Sequence, residues 1–157
     1  MVGLILASHG EFAQGVYQSG TMIFGAQPNV KVCVLEPSEG PDDIRQKIQE
    51  AAASMEDPQQ VLILVDLWGG TPFNQALSLK EEHEDWALVT GLNLPMLIEA
   101  YACRTRMDTA HEMALHIVKS AKESVRVIPE DLTPMDEVSV VEEEKPKKKH
   151  FFLKARS

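Results

Sequence analysis

The sequence has no apolar run approaching the roughly 20 residues that span a bilayer. The short run after Met1 breaks at Ser8-His9, with no basic region before it and no cleavage site after it, so nothing reads as a leader or an anchor. A cytoplasmic location is the expectation. Cysteine is scarce: Cys33 and Cys103 are the only two. They stand far apart without metal-ligand spacing, which leaves neither a disulfide framework nor a zinc site and reads as two structural thiols. Basic residues are outnumbered, and the formal net charge of -9 excludes a broad nucleic-acid or anionic-membrane surface, since both would repel most of the protein. Small molecules and other proteins remain as partners.

What is present is an alternation. With 157 residues and 44% hydrophobic content, the chain is long enough for one domain with a substantial core plus a tail. Short β-rich runs at Val2 to Ala7, Val30 to Leu35, Val61 to Leu67 and Trp86 to Thr90 read as strands. Two of them are almost continuously apolar, as buried parallel strands are. Between them the period is helical. Phe12, Val16 and Ile23 share one helix face, and Ile44, Ile48 and Met55 share another, opened by Pro41 with Asp42 and Asp43 in the first turn. A third helix is expected to start with Thr71 as N-cap and Pro72 behind it, and a fourth at Asn93-Leu94-Pro95. A longer one runs from about Asp108 to Ser124. Val125 to Ile128 follows as a short last strand. The order predicts a three-layer α/β/α domain with a mainly parallel sheet over residues 1–128.

In such a sheet, ligands bind beyond the carboxyl ends of the strands, where the next helices begin. His9 falls at one of these junctions. Asp66 ends the third strand run, and Leu67-Trp68-Gly69-Gly70-Thr71-Pro72-Phe73-Asn74 leads into the third helix. If the two strands are neighbours, the Asp66 carboxylate can take the Nδ1 proton of His9 and leave the Nε2 lone pair free, which a nucleophilic histidine requires. Gly10, Gly69 and Gly70 let backbone approach a ligand, and N–H groups at a helix start bind phosphoryl oxygens. Singly, each of these residues also reads as a cap or a turn. Together they read as a phosphohistidine site.

The segments ASHGEFAQG, LVDLWGGTPFN and TGLNLPMLIEA resemble, in order and spacing, the mannose-class IIA component (EIIA-Man family) of the bacterial phosphoenolpyruvate-dependent sugar phosphotransferase system. The resemblance covers about Met1 to Ile128. It implies a phosphotransferase in which His9 is the phosphorylated nucleophile, accepting its phosphoryl group from the histidine-containing phosphocarrier protein HPr. The group then passes to a IIB component, with the membrane IIC and IID components served indirectly. It implies that Asp66 orients His9 and that Thr71 lies near the phosphoryl oxygens. It also implies a doubly wound sheet whose short antiparallel last strand is exchanged within a homodimer. No cofactor and no metal are called for.

Two further readings stand beside this one. A related IIA-like domain donates phosphate to dihydroxyacetone kinase, but the WGGTPFN segment disfavours it. A regulatory module controlled by phosphorylation of His9 is disfavoured by the lack of a DNA-binding or ATPase segment. Trp68 is an unusual occupant of a glycine-rich loop and reads as a site wall or a partner contact. His83 lies in the acidic EEHED stretch and reads as solvated. His111 and His116, five apart on one helix, do not share a face as a zinc pair would. Met96, Leu97 and Tyr101 read as core. Residues 129–157 place an acidic block beside a basic one and read as a charged linker or tail. Within it, the apolar cluster His150-Phe151-Phe152-Leu153 leaves open a disordered end or a linker leading toward a IIB domain.

Overall fold

The computed structural model describes residues 1–128. The chain divides into a unit at Met1–Val125 and a second at Arg126–Ser157; the expected tail, 129–157, lies outside the described residues, as does the cluster at Phe151. Elements follow the order β1 (Gly3–His9), α1 (Phe12–Phe24), β2 (Val30–Leu35), α2 (Pro41–Ala53), β3 (Val61–Val65), α3 (Thr71–Glu82), β4 (Ala87–Thr90), α4 (Leu94–Cys103) and α5 (Ala110–Glu123).

The strands form one sheet in the order β2-β1-β3-β4, with all three pairings parallel. Parallel inner strands are covered on both faces, which is why β1 and β3 read as unbroken apolar runs. Successive side chains divide between the layers. Leu4, Leu6, Leu62 and Leu64 pack into a core with α1, α4 and α5. Ile5, Ala7, Ile63 and Val65 pack on the other side with α2 and α3. Ile44 and Ile48 hold α2 to that second layer, each with no exposed surface; burying such a side chain is worth about 1.5–3 kcal/mol. Met96, Leu97 and Tyr101 are buried in the first layer as expected.

Several boundaries differ from expectation. β1 continues to His9, and β3 stops at Val65, leaving Asp66 just beyond it. Thr71 is the first helical residue of α3, and Gly70 is the N-cap. On α1 the face turned to the core carries Ala13 and Gly20, while Phe12 and Ile23 are exposed. Gly20 lets α1 approach α4 closely, because a Cβ there would lie 2.8 Å from a Leu97 methyl. A bulkier helix face would not fit that crossing. Val125 to Ile128 do not form the expected antiparallel strand. A run this short takes strand geometry only through a ladder, and β4 is paired with β3 alone among the described strands.

The caps match their chemistry. The Gly40 N–H donates to Asp43 at 2.7 Å at the start of α2. Asn93 accepts from the Met96 N–H at 2.9 Å, and Thr109 accepts from the Glu112 N–H at 3.2 Å, fixing the starts of α4 and α5.

Candidate functional site

The chain leaves β1 toward β2 on one side of the sheet and passes from β3 to β4 on the other. The strand order therefore reverses between β1 and β3, opening a crevice at their carboxyl ends. His9 ends β1 and Asp66 follows β3, so the neighbour relation the sequence required is met. Oδ2 of Asp66 accepts from the His9 backbone N–H at 2.9 Å and lies 2.9 Å from His9 Nδ1. Oδ1 accepts the Leu67 N–H at 2.8 Å. The carboxylate is thus held on both oxygens, with its side chain 15% exposed against 44% for His9. An imidazole that donates from Nδ1 keeps its lone pair on Nε2.

At the Cε1–Nε2 edge of the ring stands Gly70. A Cβ at this position would lie 2.6 Å from Cε1 and 3.3 Å from Nε2 of His9, so only glycine leaves that edge of the imidazole open. Gly69 before it has φ +76 and Gly10 has φ +52, left-handed values that glycine adopts without strain. Thr71 opens α3 directly beyond. Pro72, second in the helix, has no N–H, so the first-turn donors near the crevice come from Thr71 and Phe73.

Trp68 lies in the same loop, 75% exposed, with its ring 4.8 Å from that of Phe73. The other histidines among the described residues are elsewhere. His83 caps the end of α3 and stacks on Trp86 at 4.1 Å. His116 pairs with Glu99 at 2.6 Å, and His111 lines a groove beside β4. No group of ligands fit to hold a metal occurs among the described residues, and no described helix is long and apolar enough to cross a membrane. Cys33 and Cys103 are buried and unbridged. Burial pushes the Cys33 thiol up to about 11, opposed by nearby Lys47, and also raises that of Cys103.

Three supporting residues went unread in the sequence. Ser8 is fully buried. Its hydroxyl accepts the Ala13 N–H at 2.8 Å and donates to the Gly10 carbonyl at 3.0 Å. It takes over the capping of α1 that Glu11 does not supply. A lone serine in an apolar strand just ahead of a helix was the available signal. Asn74 donates to the Gly69 carbonyl at 3.2 Å and so ties the glycine loop to α3. Glu39 braces the β2–α2 loop: it accepts from Lys47 at 2.6 Å and from the Glu36 N–H at 2.8 Å. Those bonds, the Lys47 one first, hold its carboxyl below the usual range.

The fold is shared with IIA proteins of the phosphotransferase system. The chain superimposes on the EIIA component from Streptococcus agalactiae with a TM-score of 0.76 and 30% identity, over 81% of this chain and 97% of that one. The chain belongs to the EIIA-man family, whose model, described as PTS system fructose IIA component, matches residues 3–118. The fructose-specific EIIA component of Bacillus subtilis (strain 168) is 33% identical over 107 residues, covering 68% of this chain and 73% of that protein. The mannose-specific EIIAB component of Escherichia coli (strain K12) is 28% identical over 127 residues, which is 81% of this chain. The chain spans 39% of that relative's length.

Proposed function

We propose that this IIA component carries a phosphoryl group on Nε2 of His9, taken from the phosphohistidine of HPr and given to a IIB component in the cytoplasm. The observation that carries this reading is the double hold of Asp66 Oδ2 on the backbone and ring of His9. With the proton kept on Nδ1, the Nε2 lone pair attacks phosphorus as the P–N bond to the donor breaks, and the electron pair of that bond returns to the donor imidazole. The His9 ring then gains positive charge beside a carboxylate already in place. First-turn N–H groups of α3 and the Thr71 hydroxyl are the donors for the phosphoryl oxygens, with Gly10, Gly69 and Gly70 admitting the group to the backbone. Transfer to IIB is the same step reversed, so no cofactor enters.

The reading includes a homodimer in which Val125 to Ile128 of one copy pair with the β4 edge of the other. Phosphoenolpyruvate, enzyme I and HPr provide the test of the chemistry. The chain gains one acid-labile, base-stable phosphoryl group, as a phosphoramidate is, and His9→Ala abolishes it. A label mapped to His83, His111 or His116 rejects the assignment.

A further inference from the structure

The loop between β3 and α3 has few handles of its own. Leu67 and Trp68 are 60% and 75% exposed, and Gly69 and Gly70 bring no side chains, so packing does little to hold the residues that approach His9. Glycine also gives up more backbone freedom on folding than any other residue. Hydrogen bonds have to supply the order. At one end the Leu67 N–H donates to Oδ1 of Asp66 at 2.8 Å. At the other, Asn74 takes both glycine carbonyls: its backbone N–H donates to Gly70 at 2.9 Å, and its Nδ2 donates to Gly69 at 3.2 Å. The loop is pinned by Asp66, which faces Nδ1 of His9, and by Asn74, which grips the glycine at the Cε1–Nε2 edge.

We infer that Asn74 is a positioning residue for phosphoryl transfer, acting through Gly69 and Gly70 to keep the Nε2 edge of His9 open to phosphorus. The inference rests on the phosphocarrier reading and adds a residue to it. Any residue at position 74 supplies the backbone bond as part of α3, so the distinctive share belongs to the side chain. Asn74 is exposed in the first turn of α3, so that side chain serves no core. An amide meets a carbonyl only through its NH2 group, which gives the Gly69 oxygen a donor that an apolar residue of the same size lacks. The hold matters for two reasons. Gly70 stands so near the ring that an added Cβ would lie 2.6 Å from Cε1 and 3.3 Å from Nε2, so a small drift of its backbone toward the ring begins to cover the attacking atom. A glycine peptide also turns easily, and a carbonyl released from Asn74 and turned toward the crevice would set partial negative charge against an incoming anion. Engaging both carbonyls leaves the first-turn N–H groups to the phosphoryl oxygens.

The test replaces Asn74 in the full chain. Asn74→Leu keeps the size and removes the donor, and Asn74→Gln keeps the amide on a longer stem. Single-turnover transfer from phosphorylated HPr, run over a range of HPr concentrations, separates the plateau rate from the half-saturating concentration. Thermal melts report stability. In a Trp86→Phe background Trp68 is the sole tryptophan, and its fluorescence anisotropy reports how firmly the loop is held. Asn74→Leu is expected to melt within about three degrees of the parent, because the position is exposed and leucine is the better helix former. Its plateau rate is expected to fall about tenfold or more at an unchanged half-saturating concentration, because a loosened loop misplaces the reacting edge rather than weakening the encounter. Trp68 anisotropy is expected to drop with it. Asn74→Gln is expected to lie nearer the parent in both rate and anisotropy. A parental plateau rate in Asn74→Leu overturns the proposal, as does a slowed rate with parental anisotropy or one that Asn74→Gln does not relieve. A rate loss that accompanies a Tm many degrees lower overturns it too, since stability alone then explains the effect, and so does a change confined to the half-saturating concentration. A parent chain that takes no label on His9 overturns the phosphocarrier reading and the positioning role with it, while the anisotropy still decides whether Asn74 holds the loop.

Discussion

One carboxylate oxygen, Oδ2 of Asp66, meets both the backbone N–H and the Nδ1 of His9 at 2.9 Å. The carboxylate that faces the imidazole Nδ1 therefore also anchors the end of the strand that carries the ring. Backbone and ring meet at one atom.

Loss of this carboxylate separates rate from equilibrium. A charge-assisted hydrogen bond of about 1.5–3 kcal/mol, if felt mostly in the transition state, corresponds to transfer slowed about ten- to two-hundredfold. Asp66→Ala is expected to be folded and slow. The same charge repels the incoming phosphoryl group, so its removal leaves the final phosphorylated fraction equal or higher. Asp66→Asn keeps an acceptor oxygen without the charge and falls between alanine and the parent. Single-turnover rates and endpoint fractions check both parts. A parental rate in a correctly folded Asp66→Ala chain rejects the pairing as functional.

Ser8→Ala tests the joint between β1 and α1. It removes an acceptor from the Ala13 N–H in a fully buried setting and frees the Gly10 carbonyl. An unpaired buried donor costs about 1–3 kcal/mol, so thermal unfolding is expected several degrees below the parent. An unchanged Tm shows that solvent or a backbone shift replaces the hydroxyl.

Cys33 gives the fold a predictable alkaline weakness. Burial raises its thiol from 9.0 to about 11, so between those values the unfolded chain releases a proton that the folded chain retains. Stability from this group is complete below about pH 9 and falls as pH rises toward 11. Urea unfolding of the parent and Cys33→Ala at several pH values isolates the effect as a difference. Parallel pH profiles reject it.

The sheet was legible because parallel inner strands have to be apolar on both faces, and LILA and VLILV leave little else to read. Ile44, Ile48 and Pro41 marked α2 for equally local reasons. α1 was misread at Phe12 and Ile23 because its packing face is set by the close crossing with α4 at Gly20, a tertiary constraint in which the smallest residue, not the largest, faces inward. At the site, His9 and Asp66 stood out as polar residues at the ends of apolar strands. Ser8 did not, since its role depends on a hydroxyl reaching forward to Ala13 across the turn. The last strand rests on β-propensity alone, and in the chain by itself Val125 to Ile128 find no ladder to hold them extended.

The paired glycines give the sharpest test of the site, because adjacent alanine substitutions are expected to fail in different ways. Gly70 has φ -74 and ψ 171, a backbone that alanine adopts freely, so Gly70→Ala folds with nearly parental stability. Its methyl, however, would stand 2.6 Å from Cε1 and 3.3 Å from Nε2 of His9. The ring has to turn away, which pulls Nδ1 from Asp66 and covers the atom proposed to receive phosphorus. Transfer is expected to slow about a hundredfold. Gly69 has φ +76 and open space around its Cβ direction, so Gly69→Ala meets no atom of the site but forces alanine into the left-handed region. It loses about 1 kcal/mol or more of stability and retains a rate much nearer the parent. Thermal melts and single-turnover rates on both variants give the crossed pattern: one stable and slow, the other weakened and competent. Equal rates for the two would mean that the Gly70 side of the ring is not the face that phosphorus approaches.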